Sequence, residues 1–425
     1  MRTSSPTSLS RRHFLALSGA TAAVPSLWVP RRRGPNAKVQ IGIVGMGIRG
    51  RNLLRSEFFP NDGFHVVAVC DVDTTRREHA KSMVDERQGT QDCLVFDDHR
   101  DLMQHPDVDA VVIATPDHWH AIQVLDACLA GKDVYCEKPL TRTLHEAKTL
   151  IDAVRKTGIV FQTGSQQRTE FGHRFVTACE LVRNGRIGDL LTVHVGVGDP
   201  PVACDLPAED MEPGLDWDRW LGPAKARPYN SILSPRGVHG HYPMWRGYRD
   251  FCGGPLADMG AHHFDIAHWG LGADTSGPVE ILPPADAGAK RGATLVYADG
   301  VRVIHGGPNG TTFTGTDGVI HVDRGRLVSV PDKILQEELA DDALRLPRKP
   351  NHAQDWLDHI GTRTRPICDV EVGARSAAVN LLLCEVYARR VPLAWDPTAW
   401  RFVGDNAPNE ILVDDGREGF RMPTV

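Results

Sequence analysis

The tightest constraint on this chain is a glycine loop, Gly45-Met46-Gly47-Ile48-Arg49-Gly50, set between a strand and a helix. A G-x-G-x-x-G motif alone is a weak signal. Here residues 38–44 are β-favouring, Ile48, Leu53 and Leu54 open a helical pattern, and a second apolar strand, residues 66–70, ends at Asp71. That acid lies about 20 residues beyond the last glycine, the context of a dinucleotide-binding βαβ unit. Gly45 permits the tight turn, Gly47 lets the backbone approach a pyrophosphate, and Gly50 lets helix and strand pack closely. The phosphates would sit against the N–H groups that open the helix. Asp71 would accept from the adenosine ribose hydroxyls and repel a 2′-phosphate, so NAD is expected over NADP, although Arg76 and Arg77 follow closely.

The alternation continues. Residues 98–103 read as a short helix, and residues 108–115 as a nearly continuous apolar strand of the kind covered on both faces. Thr115-Pro116 ends that strand, and a helix follows over residues 119–130. Residues 134–136 form another buried strand, which stops at Glu137-Lys138-Pro139. Pro139 biases Lys138 towards an extended backbone, so a rigid segment aims the cation. Thr143-x-x-Glu146 is a capping box that starts the next helix, and residues 159–163 are a further strand. Gly45, Asp71, Thr115 and Glu137-Lys138 thus all lie at the carboxyl edge of one parallel sheet, where such folds bind ligands. The expected cofactor contacts are Gly45, Met46, Gly47, Ile48, Arg49, Gly50, Asp71, Thr115, Pro116, His118, His120, Glu137 and Lys138.

From residue 165 the pattern changes. A helix over 171–184 and a strand over 190–197 precede a proline-rich stretch, 199–235, that holds Trp217-x-x-Trp220-Leu221-Gly222-Pro223. Short strands at 293–298, 301–305, 319–323 and 326–330, separated by glycine-rich turns, suggest an antiparallel sheet. Helices follow at 351–362 and 371–390. The organisation expected is α/β: a Rossmann doubly wound parallel sheet over 38–164, an α+β domain with an open, mostly antiparallel sheet over 165–395, and a C-terminal tail, 396–425. A chain of 425 residues suits two domains.

Within the second domain a helix starting at Leu256 carries Asp258, His262, Asp265 and Trp269 on one face. Asp258 lies one turn before His262, where a carboxylate orients an imidazole and raises its basicity. Oxidation of a secondary alcohol needs a hydride acceptor and a base for the hydroxyl proton. His262 suits the base, and Lys138 suits stabilisation of the developing alkoxide. Arg168, Tyr242, Trp245 and Arg246 are candidates to contact the substrate, the aromatic residues serving equally as sugar platforms or as packing. His239-x-His241 and His262-His263 lack the His-Glu-x-x-His or carboxylate partners of a metal site, so no metal is expected.

Net charge of −6 and the absence of a basic stripe give no support to a nucleic-acid partner. Nine cysteines, an odd number with no Cys-x-x-Cys pair, argue against a disulfide framework and for small buried apolar residues. Residues 1–33 hold Arg2, Arg11, Arg12 and Arg31-Arg32-Arg33 without an acid. Ser10-Arg11-Arg12-His13-Phe14-Leu15 is a twin-arginine pattern, followed by an apolar run too interrupted for the roughly 20 residues of a membrane span. Ala20-Thr21-Ala22 is a cleavage site of the usual small-residue type. Export by the twin-arginine translocation machinery to the periplasm or the exterior is expected, with no stable membrane anchor.

The glycine loop, Asp71, Thr115-Pro116, Glu137-Lys138-Pro139 and Asp258-x-x-x-His262 together resemble the glucose–fructose oxidoreductase, inositol dehydrogenase and rhizopine-catabolism (Gfo/Idh/MocA) family over residues 38–395. The resemblance implies Lys138, Asp258 and His262 as the catalytic set, with a sugar, glycoside or cyclitol as substrate. It also implies an open sheet that often joins copies into a homodimer or homotetramer. The Trp217–Pro223 and 253–269 stretches are similar to exported members, some of which resemble glycoside hydrolase family 109 and keep NAD permanently while hydrolysing through a keto-sugar. A non-catalytic sugar sensor on the same fold is the remaining alternative. The tail beyond residue 405 departs from any such pattern.

Overall fold

The computed structural model describes residues 37–425 except 406, 414 and 415. The expected twin-arginine signal and cleavage site lie outside the described residues. Six parallel strands form the first sheet: β1 (Val39–Val44), β2 (Phe64–Cys70), β3 (Leu94–Phe96), β4 (Ala110–Ile113), β5 (Asp133–Cys136) and β6 (Phe161–Thr163). Their order is β3-β2-β1-β4-β5-β6, the doubly wound arrangement expected. Ala110, Val111, Val112 and Ile113 are all fully buried, because helices cover both faces of the sheet.

The crossovers are α1 (Ile48–Leu53), α2 (Thr74–Gln88), α3 (His99–Gln104), α4 (Asp117–Leu129) and α5 (Leu144–Thr157). Helix α1 does not simply continue, since Leu54–Phe58 widens into a π-type turn. The capping box forms as expected: Thr143 Oγ1 accepts from Glu146 N at 3.1 Å, and Thr143 N donates to the Glu146 carboxylate at 3.0 Å.

Helix α6 (Arg174–Arg183) leads into the second sheet of eight antiparallel strands: β7 (Leu190–Gly196), β8 (Glu280–Leu282), β9 (Thr294–Val296), β10 (Arg302–Gly315), β11 (Val319–Val322), β12 (Leu327–Val330), β13 (Leu393–Asp396) and β14 (Arg401–Val403). Between β7 and β8 come the short α7 (Trp217–Leu221) and the long α8 (Gly254–Leu271). Helices α9 (His352–Thr362) and α10 (Val370–Arg389) return the chain to the first domain, α10 packing on both α5 and α8. No helix among the described residues is long and apolar enough to cross a membrane.

Two expectations need correction. The strand expected at 301–305 is the first third of β10, which runs on through Gly306-Gly307-Pro308-Asn309-Gly310 and pairs with β7 at both ends. That glycine- and proline-rich stretch reads as a turn, but the bulge between His305 and Asn309 absorbs it within the ladder. The tail is also not a separate appendage. Strand β14 lies at the edge of the sheet beside β13, and Met422 and Val425 pack against the main core.

Candidate active site and cofactor groove

The glycine loop joins β1 to α1 at the carboxyl edge of the first sheet. Gly45 has φ +90°, and a Cβ there would lie 2.7 Å from the backbone of Ala114 and Thr115. A Cβ on Gly50 would lie 2.1 Å from the carbonyl oxygen of Gly45. A Cβ on Gly47 would meet nothing within 4 Å. Two of the glycines therefore serve the packing of the turn, and the middle one leaves a bare cradle facing open space. That is the division of labour a pyrophosphate requires.

Asp71 ends β2, its Oδ2 accepting from Met46 N at 2.7 Å and its Oδ1 from Asp73 N at 2.9 Å. Burial pushes the Asp71 carboxyl up. A continuous groove is lined by Gly45, Gly47, Ile48, Arg49, Asp71, Thr115 and Pro116. These residues would hold an NAD molecule, the bare cradle at Gly47 on its pyrophosphate and Asp71 on its ribose hydroxyls.

The remaining cofactor candidates lie behind the groove. His118 and His120 are buried and do not line the groove. His118 Nε2 donates to the Trp220 carbonyl, and burial lowers the imidazole pKa to about 3. His120 sits between the carbonyls of Thr115 (3.0 Å) and Pro139 (2.8 Å), so it braces the β4 loop against the Lys138-Pro139 turn, whose peptide bond is cis. Glu137 does not face the groove either. It holds Arg49 through contacts of 2.7 and 2.8 Å, and the Arg49 charge, against the opposing effect of burial, keeps its carboxyl below the usual range.

Lys138 crosses to the second domain. Its Nζ donates to Asp258 Oδ1 at 2.6 Å and to the Asp258 carbonyl at 2.9 Å, near the start of α8. Arg246 Nε is 3.8 Å from the same carboxylate oxygen. Burial would raise the Asp258 pKa, but Lys138 and then Arg246 outweigh it and hold the group ionised. Asp258 is expected from the sequence to orient His262 and instead anchors Lys138, because an ammonium competes better for a carboxylate than a neutral imidazole does. His262 is buried, with Nδ1 unpartnered among the described residues. Burial first, and then the Lys138 charge, drive its pKa well below the ordinary value. It is a neutral imidazole with a free ring nitrogen, beside a positioned ammonium.

The helical face deduced for α8 serves two purposes. Asp258 and His262 lie at the site, while Asp265 and Trp269 face Arg168. The Arg168 guanidinium, expected to bind substrate, is fully enclosed: it bonds Asp265 at 2.8 and 2.9 Å and Asp274 at 2.7 and 3.0 Å, and lies 4.9 Å from the Trp269 ring. It ties α8 to the segment after β6 and has no face left for a ligand. Of the other substrate candidates, Tyr242 is 49% exposed and Trp245 is buried, and the Arg246 guanidinium lies over both rings at 5.0 and 4.2 Å. Trp217 stacks on Trp220 at 4.6 Å inside a small core, so it is packing.

Two charged groups escaped the sequence. Asp117, the first residue of α4, is buried near Asp258 and Lys138. Burial and the Asp258 charge raise its pKa to about 8. Arg324, in the turn between β11 and β12, donates to Gln167 Oε1 at 3.0 Å, and its charge reaches Asp258 and His262. Asp117 follows Thr115-Pro116 directly and was within reach of motif reading. Arg324 comes from the far sheet, with no local signal.

Residues 39–165 match the NAD-binding Rossmann fold of an oxidoreductase family, and residues 202–422 match that family's C-terminal alpha/beta domain. An inositol 2-dehydrogenase of Gluconacetobacter diazotrophicus is 33% identical over 187 residues, 43% of this chain and 53% of that protein. A glycosyl hydrolase family 109 protein of Shewanella sp. (strain ANA-3) is 31% identical over 205 residues, 43% of this chain and 44% of that one. The chain spans about half the length of the relatives it matches. Among solved structures, the WlbA dehydrogenase of Bordetella pertussis in complex with NADH and UDP-GlcNAcA has TM-score 0.58 at 19% identity, covering 84% of this chain and 99% of that one. The aldose-aldose oxidoreductase of Caulobacter crescentus complexed with glycerol has TM-score 0.56 at 18% identity, with coverage of 84% and 99%. At such identities the structural likeness establishes the fold.

Proposed function

The chain belongs to the Gfo/Idh/MocA oxidoreductase family, and from that premise we propose that it is an NAD-dependent oxidoreductase acting on a secondary hydroxyl of a sugar, glycoside or cyclitol. The observation that carries this reading is the Lys138–Asp258 pair, 2.6 Å long, near His262, whose Nδ1 is unpartnered among the described residues, with Arg246 of the groove lining 3.8 Å from the same carboxylate. Lys138 donates a hydrogen bond to the reacting oxygen and stabilises charge as it develops there. Asp258 and Arg246 fix where that ammonium points. His262, neutral and buried, takes the hydroxyl proton through a ring nitrogen. Bound NAD supplies hydride acceptance at the adjacent carbon, and its return. Tyr242, stacked on Arg246, and Arg324, whose charge reaches Asp258 and His262, suit a polyhydroxylated ring.

Export by the twin-arginine route is part of the proposal and bears on turnover. Outside the cytoplasm no pool of NAD recharges an enzyme, so the cofactor stays bound and each cycle is redox-neutral. Oxidation of one sugar is then coupled to reduction of a second carbonyl compound. A second reading, supported by the family 109 relative, is glycoside hydrolysis. Oxidation at C3 of a glycoside acidifies the C2–H, the C1 substituent is eliminated, water adds, and the ketone is reduced again.

One set of measurements tests these readings. Denatured, purified protein is expected to release one NAD per chain by mass spectrometry, and none would remove the redox-neutral version. Lys138→Ala is expected to lower kcat by about 10²- to 10⁴-fold with the bound NAD retained. Unimpaired turnover in that variant removes the catalytic assignment. With a glycoside panel in deuterated water and no added NAD, deuterium at C2 of a hydrolysed product selects the elimination route. Oxidised product formed only with a second carbonyl compound selects transfer.

A further inference from the structure

The groove does not end at Asp71. It continues past Asp97 and Asp98, after β3, to Trp119, Gln123 and Asp126 on α4, and there the C-terminal tail closes it with Gly419, Phe420, Arg421 and Pro423. The sheet order puts the β2 end and the β5 end on opposite sides of β1. A nucleotide with its ribose at Asp71 and its reactive ring at Lys138 therefore carries its adenine into this far pocket.

The tail is fastened there. Arg417 donates through Nε to the Gly222 carbonyl at 3.0 Å and through its terminal nitrogens to the Asp218 carbonyl at 2.7 Å and to the Asp218 carboxylate. Its backbone N donates to the Pro223 carbonyl at 3.2 Å, and its guanidinium lies 4.7 Å from the Phe420 ring. Lys156 Nζ donates to the Val425 carbonyl at 2.9 Å. The Phe420 ring meets Trp119 edge-on, centroids 5.6 Å apart at 87°. Two perpendicular aromatic rings form an apolar corner, and Gln123, Asp98 and Asp126 line the same pocket, Gln123 Oε1 accepting from Thr115 Oγ1, Asp98 paired with Arg100 and Asp126 with His99. A flat base with an exocyclic amine matches that combination.

We propose that the C-terminal segment around Phe420, held by Arg417, forms part of the adenine-binding pocket and so governs retention of the adenosine half of the cofactor. This rests on the NAD-binding reading above. Stacking on one aromatic residue is commonly worth tenfold or more in affinity.

The test uses the full chain, stripped of nucleotide and titrated with NAD, ADP-ribose and nicotinamide mononucleotide while tryptophan fluorescence is followed. Phe420→Ala is expected to weaken NAD and ADP-ribose about tenfold or more and leave the mononucleotide unchanged. Phe420→Tyr restores binding, and the melting temperature of unliganded Phe420→Ala stays at the wild-type value. Arg417→Ala, which frees the tail and removes the cation over the Phe420 ring, reproduces the pattern. In unstripped protein, the two alanine variants lose NAD on gel filtration faster than wild type. Wild-type binding of NAD with Phe420→Ala unchanged overturns the role of the tail alone, as does an equal loss for all three nucleotides. A wild-type protein that binds none of the three overturns the cofactor reading and this inference together.

Discussion

The residues that matter divide by what their charges touch. Lys138 and Arg168 are both cations paired with aspartates of α8, and a sequence pattern treats them alike. Lys138 meets Asp258 at 2.6 Å beside a cleft, whereas Arg168 is saturated by Asp265 and Asp274 and enclosed by protein. Their substitutions should separate accordingly. Arg168→Ala strands a buried carboxylate and is expected to cost about 3–5 kcal/mol of stability, visible as a lower melting temperature. The fraction that remains folded should keep the wild-type kcat and KM. A raised KM with unchanged stability would restore the substrate-binding role expected from sequence. Asp117 is the residue-scale counterpart among the acids: burial and Asp258 hold its carboxyl protonated up to about pH 8, so it adds no negative charge to the Lys138–Asp258 pair at neutral pH.

At the scale of elements, the sheet edge was legible because the signals there are local. Gly45, Asp71, Thr115 and Lys138 each end a strand, and a parallel sheet brings all strand ends of one polarity to one edge. Where the fold relies on distant partners, legibility fails. The bulge in β10 reads as a turn because its pairing with β7 is remote in sequence, and Arg324 reaches the site from a hairpin in the other sheet. The pairing of Asp258 with His262 was a sound helical inference that lost to a stronger ligand from β5. The glycine loop allows a test at this scale, since its glycines do different things. Gly50→Ala places a methyl 2.1 Å from the Gly45 carbonyl oxygen and is expected to cost about 1–3 kcal/mol by overpacking. Gly47→Ala points a methyl into open groove, so the melting temperature of the unliganded protein should hold while NAD affinity falls. Calorimetry with and without NAD distinguishes the two, and equal effects on stability would show that the cradle at Gly47 is structural.

The molecule as a whole carries an unusual load of buried imidazoles, and this sets its response to acid. Burial, as the largest influence in each case, lowers the pKa of His263, His268, His305 and His352 to about 4 and that of His118 to about 3. An unfolded chain protonates the same rings near the ordinary value of about 6.5. Between those limits the unfolded state binds more protons, so stability is complete above about pH 6.5 and declines as pH falls towards 4. Each histidine contributes about 1.4 kcal/mol per pH unit once its unfolded form is protonated. Asp117 opposes this, because its folded pKa of about 8 lies above the unfolded carboxylate value, making the folded state the better proton binder over that range. One carboxyl against five imidazoles leaves the histidines dominant, and other buried acids such as Asp71 and Asp265, raised in the same sense, only moderate the slope. The expected result is a melting temperature that rises slightly from pH 8 to about 6.5, as Asp117 takes up its proton in the folded state, and then drops steeply to pH 5. Replacing His305 with Gln removes one ring that bonds Tyr387 and the Gly198 carbonyl, and should reduce the steepness of that drop even though stability at pH 8 also decreases. A melting temperature independent of pH between 6.5 and 5 would mean that these rings are not held neutral by the fold.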